Sequence, residues 1–95
     1  MNNMTPEEEK ILQVFTRDGE LLQMPARRNK QLVILRWVVE RFEPDVQYPE
    51  KQMNEILKQI NPDYSMLRRY LIDAGLMQRE NGIYQRLNTP LESQS

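Results

Sequence analysis

The chain has 95 residues, enough for one domain with a single modest hydrophobic core. Its 13 basic and 14 acidic residues give a net charge of -1, whereas proteins that bind nucleic acid mainly through phosphates are usually strongly basic. The sequence contains neither cysteine nor histidine, which excludes a disulfide framework and a catalytic imidazole and argues against a zinc site. We therefore expect no enzymatic activity, no cofactor and no bound metal.

The distribution of charge and apolar residues indicates where the protein acts. No apolar run approaches the roughly 18 residues needed to span a bilayer, and the first ten residues lack the apolar core of a signal peptide. We therefore expect a cytoplasmic protein without a membrane partner. Residues 1–20 carry 2 basic and 5 acidic side chains, and the remainder carries 11 and 9. An acidic leader thus precedes a mildly basic body, which indicates either a nucleic-acid footprint or, at least as readily, a mixed solvated surface.

The first segment reads as a helix followed by a break. Thr5 suits the N-cap position and Pro6 the first helical position, with glutamates after them at the positive end of the helix dipole. Its predicted apolar face consists of Ile11, Leu12, Val14 and Phe15. Asp18 and Gly19 interrupt the chain, and residues 21–24 form a candidate strand that Pro25 closes.

The central segment predicts two more helices. Residues 27–43 have apolar positions at helical spacing, namely Leu32, Leu35, Val39 and Phe42, widened by Trp37 and Val38. Pro44 ends this helix, and residues 46–48 form a candidate strand. Pro49 opens a helix to about residue 60, with its inward side formed by Met53, Ile56, Leu57 and Ile60.

The last segment contains the clearest local signals. A helix over residues 63–74 follows a tight connection at residues 61–63, and its buried side is formed by Leu67, Tyr70, Leu71 and Ala74. Gly75 is the expected left-handed stop. Asn81 and Gly82 separate two short alternating runs, which predicts a β-hairpin over residues 76–87. Residues 88–95 are predicted to be a polar, frayed tail.

This order of elements predicts an α+β fold, mainly helical with a small β-hairpin, of winged helix-turn-helix type. The helical leader occupies residues 1–17 and the winged domain residues 18–87. In such a domain the second helix of the pair, residues 63–74, enters the DNA major groove, and the hairpin forms the wing. The candidate DNA-binding residues are Ser65, Arg68, Arg69, Arg79, Arg86, Arg27, Arg28 and Lys30.

Five of the seven basic candidates have an alternative interpretation. Arg68 and Arg69 are adjacent on a helix and point about 100° apart, so one can contact DNA while the other pairs with Asp73 or Glu55. The three cations of the first turn of the 27–43 helix lie at its unfavourable end. They indicate an acidic neighbour, a bound anion or ordinary surface charge.

Several segments together resemble a known family. These include the Asp18-Gly19 and Met24-Pro25 pairs, Tyr48 and, above all, residues 67–76 with the sequence LRRYLIDAGL. Over residues 18–84 the chain resembles a small bacterial family of unknown function, found alone or fused to transcriptional regulators. The resemblance implies a winged-helix-like fold and a regulatory setting, but no activity. Met53 stands where the family usually has a β-branched aliphatic residue. Because methionine is flexible and apolar, we expect it still to pack at this position.

Two functions remain open. The first is a transcriptional regulator that binds double-stranded DNA, often as a dimer that contacts two half-sites. The alternative is a protein-interaction module on the same scaffold without DNA binding, in which the helix of residues 1–17 forms a homodimer or docks a protein partner. A small enzyme has little support, because Ser65 has no activating base and the pairs Glu7/Glu8 and Glu40/Glu43 lie on solvated helix faces.

Overall fold

The computed structural model describes residues 4–87, and in that part of the chain it contains four helices and five short strands. In chain order they are α1 Pro6–Phe15, β1 Thr16–Arg17, β2 Glu20–Leu21, α2 Arg28–Val39, β3 Gln47–Pro49, α3 Glu50–Lys58, α4 Tyr64–Asp73, β4 Met77–Glu80 and β5 Ile83–Arg86. The predicted α+β class is confirmed. The predicted tail of residues 88–95 lies outside the described residues.

Helix α1 begins with the cap that its sequence predicts. The Thr5 hydroxyl accepts a hydrogen bond from the Glu8 amide at 3.2 Å, and the Glu8 carboxylate accepts one from the Thr5 amide at 3.1 Å. The helix has no fully buried residue, but three half-buried side chains pack against the core: Ile11, Leu12 and Phe15. Val14 instead remains 62% exposed. The predicted apolar face is therefore mostly committed to contacts within the chain.

A two-residue hairpin follows α1, and it differs from the predicted strand. β1 pairs with β2 in antiparallel register across Asp18 and Gly19, whose φ angles are 54° and 83°. The strand predicted over residues 21–24 is wrong in extent, because β2 covers only Glu20–Leu21. The Leu21 amide donates to the Ile60 carbonyl at 2.8 Å, so the chain is bound to the end of α3 at this point rather than to a longer sheet.

Helix α2 ends four residues before the prediction of residues 27–43. The amides of Arg41 and Phe42 bond to carbonyls three residues earlier, so the chain tightens and leaves the α-helix after Val39. The buried face is also wider than predicted: Val33 and Ile34 are buried, whereas Leu32 and Trp37 are only half-buried. The reason is that α1 and α4 both pack on α2 and cover more than one side of it.

The α3–α4 pair and the hairpin are arranged in the predicted order. Asn61 and Asp63 cap the connection: the Asn61 side chain accepts from the Asp63 amide at 2.8 Å, and the Asp63 carboxylate accepts from the Met66 amide at 3.3 Å. After α4, Gly75 takes a left-handed φ of 75°, as predicted. Asn81 and Gly82, with φ of 55° and 78°, form the two-residue turn between β4 and β5.

The three strands β3, β4 and β5 form one antiparallel sheet in the order β3-β5-β4. Tyr84 on the central strand lies opposite Tyr48 on one side and Arg79 on the other. The rings of Phe42 and Tyr48 meet edge to face with centroids 5.0 Å apart. One core joins this sheet to α2, α3 and α4, and it consists of Leu21, Ile34, Leu35, Val38, Val39, Phe42, Tyr48, Met53, Leu57, Ile60, Leu67, Leu71, Met77 and Tyr84. Within residues 4–87, no helix is long and apolar enough to cross a membrane.

Candidate functional site

One side of helix α4 packs in the core, and another side faces solvent. Leu67 and Leu71 are fully buried, whereas Ser65, Arg69 and Asp73 are exposed. The three exposed residues follow one another at intervals of four, so they lie along one face of the helix. The Arg69 side chain makes no hydrogen bond or ion pair with residues 4–87. The outward face of α4 therefore presents a hydroxyl, a guanidinium and a carboxylate in a row.

Arg68 is held against the protein rather than presented with Arg69. Its side chain is half-buried and donates a short hydrogen bond to the side-chain oxygen of Asn54 on α3. Its guanidinium also lies 6.0 Å from the centroid of the Tyr64 ring, which the Lys58 ammonium approaches at 5.3 Å. Two adjacent arginines thus face different surroundings, as predicted, but the partner of Arg68 is an amide and not one of the two predicted carboxylates.

The hairpin is joined to the start of α3 through Glu50. The Glu50 amide donates to the Gly82 carbonyl at 3.1 Å, and the Tyr84 hydroxyl donates to the Glu50 carboxylate at 3.3 Å. The Arg79 guanidinium lies 4.0 Å from the same carboxylate oxygen and 5.9 Å from the centroid of the Tyr84 ring. Desolvation by burial raises the pKa of the Tyr84 phenol, with Arg68 opposing and Glu50 reinforcing this effect. The hydroxyl therefore acts as a neutral donor.

The Arg86 side chain makes a hydrogen bond within the domain. Its guanidinium donates to the Phe42 carbonyl at 2.8 Å, across 44 positions of the sequence. This bond satisfies a carbonyl in the segment that follows α2, and the side chain is half-buried. Arg86 is a candidate DNA-binding residue from the sequence, and the structure places its guanidinium in this contact within the domain.

The basic trio at the start of α2 stands apart from α4. Arg27 and Arg28 are exposed, Lys30 is half-buried, and the first turn of α2 contains no acidic residue. In the described chain, no hydrogen bond or ion pair joins these three side chains to α4 or to the hairpin. The structure therefore does not bring them together with the α4 face, and within residues 4–87 it also assembles no group of three or more acidic residues that could hold a metal ion.

Sequence reasoning missed the contribution of α3 to this region. Glu50 and Asn54 each engage a candidate arginine, and both lie on the half of α3 that faces the hairpin and α4. Their spacing of four residues was the available signal, because residues four apart on a helix share a face.

Residues 20–86, from β2 to the end of β5, match the model of the family DUF2087. This family is described as uncharacterized proteins conserved in bacteria. The chain belongs to the DUF2087 family. Neither a curated protein nor a solved structure matches the chain. The predicted family resemblance is confirmed, and the DUF2087 region includes α4, the hairpin and Glu50, whereas α1 precedes it.

Proposed function

We propose that this DUF2087 protein is a winged helix-turn-helix domain that binds double-stranded DNA, with α4 in the major groove and the β4–β5 hairpin as the wing. The connectivity α2-β3-α3-α4-β4-β5 and the sheet order β3-β5-β4 support the winged-helix assignment. The observation that carries the proposal is the exposed row of Ser65, Arg69 and Asp73 on the helix that follows the tight turn.

The chemistry of that row suits base edges. A guanidinium such as that of Arg69 forms a bidentate pair with guanine, and a carboxylate such as that of Asp73 accepts from the cytosine amino group. Ser65 is a donor for a phosphate or a base edge. A face of mixed charge in a protein of net charge -1 has little general attraction for phosphates. We therefore expect weak non-specific binding and affinity that depends on a matching sequence.

The test begins with selection from a library of random-sequence duplexes, followed by fluorescence anisotropy on the enriched duplex. Arg69→Ala should weaken binding to that duplex about ten-fold or more, as expected for loss of a bidentate base contact. Arg17→Ala is the matched control, because Arg17 is exposed on β1 and outside the proposed interface. If the folded protein enriches no sequence and binds no duplex at low salt, the proposal is wrong.

A second candidate function is a protein-interaction module on the same scaffold without DNA binding. Two exposed apolar side chains favour it: Val14 at 62% and Leu22 at 55%. They lie on neighbouring segments, since the Leu22 amide donates to the Phe15 carbonyl at 2.8 Å. Loss of self-association or of a co-purifying protein in Val14→Ser/Leu22→Ser, without DNA binding by the parent chain, would favour this candidate.

Both candidates act by binding, and we propose no catalytic step. The sequence lacks histidine and cysteine, so an imidazole base and a thiol nucleophile are absent from the chain. The proposal places the protein in the cytoplasm, where bacterial DNA is accessible. A homodimer through α1 would use Val14, because the other apolar side chains of α1 pack inward.

A further inference from the structure

We propose that Glu50 competes with DNA phosphate for Arg79 and thereby lowers the affinity of the wing for any DNA backbone. This inference rests on the proposed DNA-binding function. Arg79 is the exposed guanidinium of the hairpin, and the Glu50 carboxylate lies 4.0 Å from it. Both side chains are partly solvated, with 58% and 42% of their surfaces exposed. An exposed ion pair of this length is weak, so a phosphate oxygen can replace the carboxylate.

The carboxylate is fixed in this position by the fold. The Tyr84 hydroxyl donates to the same Glu50 oxygen at 3.3 Å, and the Glu50 amide is bound to the wing turn through the Gly82 carbonyl at 3.1 Å. Because Tyr84 is buried, it cannot move away with Arg79. When Arg79 turns to a phosphate, the Glu50 carboxylate therefore stays behind and loses its ion pair, and this loss offsets part of the phosphate contact.

The Glu50 carboxylate affects non-specific binding more than specific binding. A phosphate contact strengthens binding to every DNA sequence equally, whereas a base contact distinguishes between sequences. A carboxylate that offsets the Arg79 contact lowers non-specific affinity and leaves the α4 face unchanged. Glu50 is accordingly a positioning residue that raises the ratio of specific to non-specific binding.

Glu50→Gln separates the charge of this residue from its structural contacts. The glutamine amide oxygen accepts the Tyr84 hydrogen bond, and the backbone bond to Gly82 does not depend on the side chain. Glu55→Gln is the matched control, because Glu55 is exposed on the same helix and loses the same charge. Arg79→Gln and the double variant Glu50→Gln/Arg79→Gln complete a double-mutant cycle.

The measurement is binding of a mixed-sequence duplex across a salt series. Glu50→Gln should bind up to about five-fold tighter at low salt than Glu55→Gln, the ratio that the upper range for an exposed ion pair gives. Its salt dependence should steepen by about 0.9 in the log-log slope, since one more phosphate is neutralised. In the Arg79→Gln background, Glu50→Gln should produce no gain beyond that of Glu55→Gln.

The outcomes distinguish the two proposals. Equal affinities and slopes for Glu50→Gln and Glu55→Gln overturn the role of Glu50 and leave DNA binding intact. A gain that persists without Arg79 also overturns it, because the charge then acts independently of the guanidinium. If none of the folded variants binds either mixed-sequence or selected duplex, the proposed function itself is wrong and the Glu50 inference fails with it.

Discussion

Asn61 joins the start of the DUF2087 region to the turn before α4, and we predict that its loss destabilises the domain. Its side-chain amide donates to the Leu21 carbonyl at 2.8 Å, across 40 positions of the sequence. Its side-chain oxygen accepts from the Asp63 amide at 2.8 Å and caps the entry to α4. Both bonds disappear in Asn61→Ala.

The expected cost follows from these two bonds. A typical hydrogen bond contributes about 1 kcal/mol net, and the half-buried position of Asn61 leaves its former partners only partly accessible to water. We therefore expect Asn61→Ala to lower the free energy of unfolding by about 2 kcal/mol. For a domain of this size, that corresponds to a fall in Tm of about 8 to 16 °C. Asn61→Asp keeps the acceptor and loses the donor, so it should cost at least about 1 kcal/mol.

The assay is urea unfolding followed by circular dichroism, with thermal unfolding as a second reading. Asn29→Ala is the control, because Asn29 is exposed on α2 and alanine is the better helix former. The control should leave stability unchanged or raise it slightly. If Asn61→Ala lowers the free energy of unfolding by less than about 0.5 kcal/mol, the bond to β2 and the cap of α4 do not contribute to stability.

Three further predictions concern the β4–β5 hairpin and the segment that follows α2. Gly82→Ala should lower the free energy of unfolding in urea by about 1 kcal/mol. Backbone strain alone causes this loss, because the residue has a φ of 78° and no atom lies within 4 Å of an added Cβ. Unchanged stability would contradict the left-handed conformation of the turn. Burial raises the pKa of the Tyr84 phenol, so the contribution of Tyr84 to stability is complete below pH 10 and falls as the pH rises further. Above pH 10 the wild type should therefore lose more stability than Tyr84→Phe. Equal losses in the two proteins would contradict the raised pKa. Arg41→Ala should lower the free energy of unfolding by about 1 kcal/mol, because it removes a hydrogen bond to the Gly19 carbonyl at 3.2 Å and a guanidinium 4.8 Å from the Trp37 ring centroid. Thermal unfolding measures this loss, and an unchanged Tm would show that neither contact stabilises the domain.

Local signals predicted much of the fold correctly. The Thr5 cap, the left-handed Gly75 and the Asn81-Gly82 turn all depend on interactions between residues a few positions apart. Side-chain chemistry at these positions determines the backbone conformation directly, through capping bonds or through positive φ angles. For this reason the order of the helices and the hairpin was predictable from the sequence.

Long-range contacts were not predictable in the same way. The pairing of β3 with β5 joins segments more than thirty residues apart, and the two-residue strands β1 and β2 are too short to show an alternating pattern. The early end of α2 depends on tertiary contacts, since Phe42 remains in the core although it lies beyond the helix. Periodicity alone extended the helix to include it.

In the candidate site, too, local features were predictable from the sequence and long-range contacts were not. Residue type and helix position gave both Arg68 and Arg69 as candidates, and of the two side chains only that of Arg69 is exposed. They could not reveal that Arg68, Arg79 and Arg86 contact Asn54, Glu50 and the Phe42 carbonyl, because these partners lie 14 to 44 positions away. The number of arginines in a sequence therefore exceeds the number whose side chains have no partner within the fold.

Amide chemical-shift mapping with the selected duplex tests most directly the proposal that the α4 face binds DNA. Saturable shifts should appear at Ser65 and Arg69 and at the Gly82 turn, and those at Ser65 and Gly82 should be smaller in Arg69→Ala at the same subsaturating concentration of duplex. Unchanged spectra, or shifts confined to Val14 and Leu22, would contradict the claim.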